Sequence, residues 1–234
     1  MKPYYERDGL SIYHCDCREL MPALGVVDVV MADPPYGETS LRWDRRVAGW
    51  LALALAALKP SGSLWCFGSM RFFLEAGSTF RDWRFAQDLV WEKQNGSGFH
   101  ADRFKRVHEA LVQFYPRGRA WADVCKRPLT TPDATARTVR RKRRPSHMGN
   151  IGASAYVSFD GGPRLMRSVL RVPNCHGRAV HPTQKPEGIV EPPLRYSCPP
   201  GGVVLSPFMG SGTDLVVAKQ LGLRAIGIEV QERY

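Results

Sequence analysis

No stretch of the sequence is apolar for long enough to cross a bilayer. The most apolar one, Trp50 to Leu58, falls well short of the roughly 20 residues a membrane helix needs. The N-terminus, MKPYYERDGLSIYHC, has no apolar core of the kind a secretory leader carries, so none is expected. No C-x-x-C pair occurs among the six cysteines, and Cys15-x-Cys17 is poorly spaced for zinc. These residues are expected to be reduced thiols in a cytoplasmic setting. Cys175-His176 with His181 can be drawn as a ligand set, but no metal is expected there. No internal repeat is visible. Acidic residues are scarce beside basic ones: 22 Asp and Glu against 33 Lys and Arg leave a net charge of +11. The chain has 234 residues, enough for one filled core plus an insertion. Its positive excess fits a polyanionic partner and, equally well, a ribosome-associated or merely basic soluble protein.

What is present reads as alternating strands and helices. Ser11 to His14 is a short strand, and Val26 to Ala32 is a β-branched apolar run of the kind buried on both faces. Trp50 to Leu58 should be a helix, stopped by Lys59-Pro60-Ser61-Gly62. Strands are predicted over Ser63–Phe67, Phe85–Glu92, Glu109–Tyr115, Val203–Leu205 and Arg224–Glu229, and helices over Arg71–Ala76, Glu187–Tyr196 and Asp214–Leu221. That alternation predicts an α/β fold with a mostly parallel sheet between helices. Between residues 116 and 160 the chain turns polar and basic, with Arg140-Arg141-Lys142-Arg143-Arg144 at its centre. This segment reads as an insertion, partly mobile. Its basic run suits phosphate contacts, against the alternative of a solvated charge run.

Two constellations carry chemistry. The first is Asp33-Pro34-Pro35-Tyr36, on a loop because two prolines end the preceding strand. An exocyclic base amine is a poor nucleophile, since its lone pair is delocalised into the ring. A carboxylate and a neighbouring carbonyl, here Asp33 and Pro34, can accept hydrogen bonds from such an amine. Tyr36 can stack on a base taken out of a duplex. The bland reading is a proline-rich turn. The second is Ser206-Pro207-Phe208-Met209-Gly210-Ser211-Gly212-Thr213, a glycine loop between a strand and a helix. Its glycines admit a nucleotide-like ligand, and the free N–H groups at the helix start suit an anion. Glu229 ends the next strand, placed to hold ribose hydroxyls.

Together these resemble the amino-methyltransferase family of bacterial and phage DNA modification enzymes. D-P-P-Y at Asp33 and F-x-G-x-G at Phe208 match, as does His181-Pro182-Thr183-Gln184-Lys185-Pro186 upstream of the latter. Trp91-Glu92-Lys93, His108-Glu109 and Ile226-Gly227-Ile228-Glu229 match further strands. The order, with catalytic loop first and cofactor loop last, is similar to the circularly permuted β group. The resemblance implies a Rossmann-like methyltransferase fold with a seven-stranded sheet. It divides the chain into a catalytic half (1–115), a basic insertion as candidate DNA target-recognition segment (116–160) and a cofactor-binding half (161–234). It implies S-adenosylmethionine as cofactor, double-stranded DNA as substrate, and the cytoplasm of a bacterium or phage-infected host. Relatives of this group are often dimers.

The same resemblance assigns residues. Asp33, Pro34, Pro35 and Tyr36 would be catalytic. Asp16, Asp33, Lys185, Ser206, Phe208, Gly210, Ser211, Gly212, Thr213 and Glu229 would hold the cofactor. Arg140, Arg141, Lys142, Arg143 and Arg144 would meet DNA. Glu38 to Arg46, with Trp43-Asp44, either closes over a flipped base or is an ordinary loop. His108 is taken as a structural histidine rather than half of a dyad, and Trp65, Trp83 and Trp91 as core. One position departs: the family usually has Asp where this chain has Ser206. A hydroxyl is a weaker acceptor for a charged amine than a carboxylate, so weaker cofactor binding is expected. Three functions follow in order: methylation of adenine N6, favoured by Asp33; methylation of cytosine N4; and a DNA-binding pseudoenzyme weakened at Ser206.

Overall fold

The computed structural model describes residues 1–96, 101–141, 147, 153–175 and 177–233. It divides into two compact units. One comprises Met1–Arg127 with Ser168–Tyr234, the other Pro128–Arg167.

In the first unit the chain runs through strands β1 (Tyr5–Arg7) and β2 (Leu10–His14), helix α1 (Cys17–Leu20), strand β3 (Val27–Ala32), helix α2 (Trp50–Ala57) and strand β4 (Leu58–Gly68). Helix α3 (Met70–Ala76) and strands β5 (Trp83–Glu92) and β6 (His108–Pro116) follow. The second unit holds two antiparallel ladders. They are β7 (Thr130–Thr131) with β10 (Arg164–Leu165), and β8 (Arg137–Arg141) with β9 (Ser154–Ser158). The basic segment read as 116–160 overlaps this unit, and its weak periodicity concealed both ladders. The first unit then resumes with strand β11 (Val169–Arg171), helix α4 (Glu187–Ser197), strand β12 (Val203–Ser206), helix α5 (Thr213–Gln220) and strand β13 (Arg224–Glu229).

The strands of the first unit form one sheet in the order β1-β2-β13-β12-β3-β4-β6-β5-β11. Neighbours from β2 through β4 are parallel, while β6 is antiparallel to both β4 and β5. Among the described residues the sheet therefore has nine strands rather than the expected seven. The seven run from β2 to β5, and a three-residue strand is added at each edge. Such short edge strands carry too little pattern to be legible in sequence.

Alternate side chains of β3 and β4 face opposite ways, as strand geometry requires. Val30, Ala32, Leu64 and Cys66 join the core beneath α1, α2 and α3. Val29, Met31, Trp65 and Phe67 join the core beneath α4 and α5. All six residues of β3 are buried, as the apolar run implied. Helix α2 ends at Ala57, just before Lys59-Pro60-Ser61-Gly62, as expected, and that segment lies inside β4. The pairing with β3 jumps from Val27–Leu58 to Val29–Ser63, so the extra residues form an irregularity that accommodates Pro60. Among the described residues no helix is long and apolar enough to cross a membrane.

The consequence for function lies in the pairing of β12 with β3, Val204 opposite Val29 and Leu205 opposite Val30. From β3 the chain crosses to β4 in one direction, and from β12 to β13 in the other. Ligands of open α/β sheets bind in the crevice beyond the carboxyl ends of strands at such a switch point.

Candidate active site

The loop Asp33–Tyr36 leaves the end of β3, and the loop 206–213 leaves the end of β12. Parallel pairing sets both at one edge of the sheet. Two cavities open there. The first is walled by Asp16, Asp33, Lys185, Phe208, Gly210, Ser211, Thr213 and Glu229, with Asp214, Trp43 and His181 added. The second is walled by Pro34, Tyr36, Trp91, Lys93, Glu109 and Asn174. Asp33, Pro35, Trp43 and Lys185 line both.

Asp33 is fixed on both oxygens. The Tyr36 hydroxyl donates to Oδ1 at 2.7 Å, and Lys185 Nζ donates to Oδ2 at 2.6 Å. Lys185 also stands 3.7 Å from Glu109 Oε2, while Glu109 Oε1 accepts from Lys93. Burial disfavours the charged form of Lys185, but Asp33 and Glu109 outweigh it and its pKa lies above the ordinary lysine value. Burial likewise pushes Glu109 up, and Lys185 with Lys93 more than reverses this, leaving its carboxyl below the usual range. Burial holds the Tyr36 phenol well above its normal value, with Asp33 and Glu109 adding to the effect. Among the described residues two buried acceptors, Glu109 Oε2 and Asn174 Oδ1, have no hydrogen-bond donor. Both residues line the second cavity, so it presents acceptors to a ligand that donates.

The glycine loop is shaped by backbone that other residues resist. Gly210 and Gly212 adopt φ of 53° and 75°. A Cβ at Gly227, on the neighbouring β13, would collide with Met209 Sδ. Glu229 Oε2 accepts from Gly210 N–H and Oε1 from Gln231 N–H, each at 2.8 Å, so this acid also pins the loop. Asp16 caps α1 through Arg18 N–H at 2.9 Å and pairs with the Arg18 guanidinium at 2.6 Å. Hydrogen bonding to Arg18, against a smaller effect of burial, holds its carboxyl below the usual range.

The loop after Tyr36 is ordered from within. Asp44 accepts from the N–H groups of Gly37, Glu38 and Thr39 at 2.8, 3.0 and 2.7 Å. That turn holds Trp43 against His181, with ring centroids 5.4 Å apart. Burial lowers the pKa of His181, against opposition from Glu229 and Asp33.

A family model described as DNA methylase, of the N6/N4 type, matches residues 27–234. The chain belongs to the DNA methylase family. It is 26% identical over 255 residues to the type II methyltransferase M.HinfI of Haemophilus influenzae, across 96% of this chain and 66% of that protein. It is 27% identical over 266 residues to M2.LlaDCHI of Lactococcus lactis subsp. cremoris, across 100% and 89%. Among solved structures it resembles the M1.HpyAVI–SAM complex, with a TM-score of 0.67 and 21% identity over 96% of both chains. It also resembles the cytosine-N4-specific PvuII DNA methyltransferase, with a TM-score of 0.66 and 18% identity over 98% of this chain and 85% of the other. The likeness to these structures establishes the methyltransferase fold.

Most residues singled out in the sequence converge. Two cofactor candidates do not reach the first cavity. Ser206 is fully buried behind its wall, and Gly212 faces another depression with Leu215 and Lys219. The pair His108–Glu109 is reversed from expectation: His108 is exposed, and Glu109 is the residue at the cavity. Trp65, Trp83 and Trp91 are all buried, though Trp91 also borders the second cavity. Of the basic run, Arg140 is exposed on β8, and only the backbone of Arg141 is described. Lys142, Arg143, Arg144 and His176 lie outside the described residues. Asp214 and Asn174 were missed altogether. Asp214 differs from the rest of its helix only in carrying a charge beside the glycine loop, and Asn174 sits in no motif.

Proposed function

We propose that the chain is an S-adenosylmethionine-dependent DNA methyltransferase acting on the exocyclic N6 amine of adenine. The observation that carries this is the meeting of two cavities at Asp33. One is walled by a glycine loop and acids, the other by aromatic side chains and by acceptors that lack a hydrogen-bond donor among the described residues. The first fits S-adenosylmethionine by its donor set: Glu229 for ribose hydroxyls, Phe208 for the adenine ring and carboxylates for the methionyl ammonium. Bound there, that molecule supplies a methyl group on a sulfonium.

The chain's own residues act on the amine. Asp33 and the Pro34 carbonyl accept its two hydrogens and turn its lone pair out of the ring plane. Tyr36 and Lys185, on the two carboxylate oxygens, keep Asp33 from rotating away, so the acceptor is already oriented when the base arrives. The net charge of +11 and the run Arg140–Arg144 supply phosphate contacts that give affinity without sequence choice.

Adenine is favoured over cytosine by Asp33, because relatives acting on cytosine more often carry Ser there. The test is mass spectrometry of nucleosides from DNA incubated with the protein and cofactor. N6-methyladenine is expected. N4-methylcytosine would transfer the reading to cytosine, and no methylated base would leave a DNA-binding pseudoenzyme.

A further inference from the structure

The carboxylate that position 206 lacks is supplied from the next helix. Ser206 Oγ donates to Asp214 Oδ2 at 2.7 Å, both residues are buried, and only Asp214 reaches the wall of the first cavity. Among the described residues Asp214 Oδ1 has no hydrogen-bond donor. A buried carboxylate with one oxygen held by a neighbour and the other open to a cavity is a prepared site for a cation.

We propose that Asp214, oriented by Ser206, accepts the methionyl ammonium of S-adenosylmethionine. The proposal rests on the cofactor reading above. It removes the weakness attributed to Ser206: the serine does not replace a carboxylate but presents one from α5.

The surroundings set the pH range. Burial pushes the Asp214 carboxyl up to about 7, the Ser206 hydrogen bond opposes this, Asp33 adds to it and Lys185 opposes it. His181, Asp16 and Glu229 line the same cavity. His181 titrates below its ordinary value of 6.5, so its range lies under that of Asp214. Only the ionised carboxylate accepts strongly from an ammonium. One pH unit below its pKa about a tenth of the protein is competent, and apparent affinity falls about tenfold. On the alkaline side the ligand's own α-amino group, with a pKa of roughly 7.7–8.0 when free, loses its proton. Affinity should therefore peak in a narrow window just above neutrality.

The experiment is calorimetric titration of S-adenosylmethionine into wild type, Asp214→Asn and Ser206→Ala between pH 5.5 and 9, with thermal melts confirming that each is folded. Wild type should bind about tenfold more weakly at pH 6 than at its optimum. Asp214→Asn should lose the acid limb and bind about tenfold more weakly at that optimum. Ser206→Ala should keep the limb but move it to higher pH, because it removes the bond that favours the ionised form. A purely structural Asp214 would move none of these profiles. An acid limb retained in Asp214→Asn assigns the titration to His181 and overturns the proposal. Binding by wild type with no pH dependence overturns it while sparing the cofactor reading. No binding at any pH overturns both.

Discussion

Lys185 Nζ lies 2.6 Å from Asp33 Oδ2 and 3.7 Å from Glu109 Oε2. A single buried cation thus joins a loop at the end of β3 to strand β6, on the far side of β4 in the sheet, through side chains that nothing in the linear order brings together. Its removal separates the Asp33 carboxylate from its support, and the consequences differ from those of removing the carboxylate itself.

Lys185→Met is expected to cost about 3 kcal/mol of stability at pH 7, because two half-buried carboxylates lose their shared buried partner. Glu109, depressed in the fold, contributes stability above its unfolded pKa that is lost as pH falls through the folded value. Lys185, raised in the fold, contributes stability below its unfolded pKa that is lost as pH rises through the folded value. The variant's deficit should therefore be largest between those ranges and shrink below about pH 4. Urea unfolding at about pH 3 and pH 7 measures this, and an equal deficit at both would refute the electrostatic account.

Asp33→Asn is expected to lower methyl transfer by about 10²–10³, more than it weakens cofactor affinity, since one oriented acceptor for the amine is removed. Single-turnover rates beside calorimetric titration separate the two effects. A variant with more than half the wild-type rate would end the assignment of Asp33.

Ser206→Asp, which the family pattern suggests should tighten cofactor binding, is expected to do the opposite. The new carboxylate would meet Asp214, whose Oδ2 is 2.7 Å from the present hydroxyl. Two buried carboxyls in contact share a proton and raise each other's pKa. A group raised in the fold loses its stabilising contribution as pH rises, so the melting temperature should drop relative to wild type at pH 8 but not at pH 5. A deficit of about 2 kcal/mol corresponds to roughly 4–8 °C in a chain of this size. A Ser206→Asp protein as stable as wild type at pH 8 would contradict the geometry.

Neutralising Arg140, Arg141, Lys142, Arg143 and Arg144 is expected to weaken binding to all DNA sequences alike. Every phosphate that the variant no longer neutralises should reduce the slope of log K against log salt by about 0.9. Fluorescence anisotropy across a salt series reads that slope, and an unchanged value would show a solvated run.

The sequence by itself determined the fold class and the chemistry on offer. Periodicity located β3, β12, α5 and β13 to within a residue or two, because apolar strands and a glycine-started helix leave a local imprint. Asp33–Tyr36 and the loop after β12 were legible for the same reason: a sharp exit from a strand demands proline or glycine. Which residues face each other was a matter for the tertiary structure alone. Parallel pairing of β12 with β3 joins segments that the chain order holds far apart, and the register of β6 against β4 and β5 brings Glu109 rather than His108 to the site. The fold also decided the meaning of Ser206. In sequence that residue is a missing carboxylate; in the fold, the helix beginning at Thr213 returns Asp214 to the same strand end. A hydrogen bond between a strand end and the following helix depends on how the loop between them closes, and loop closure has no period to read.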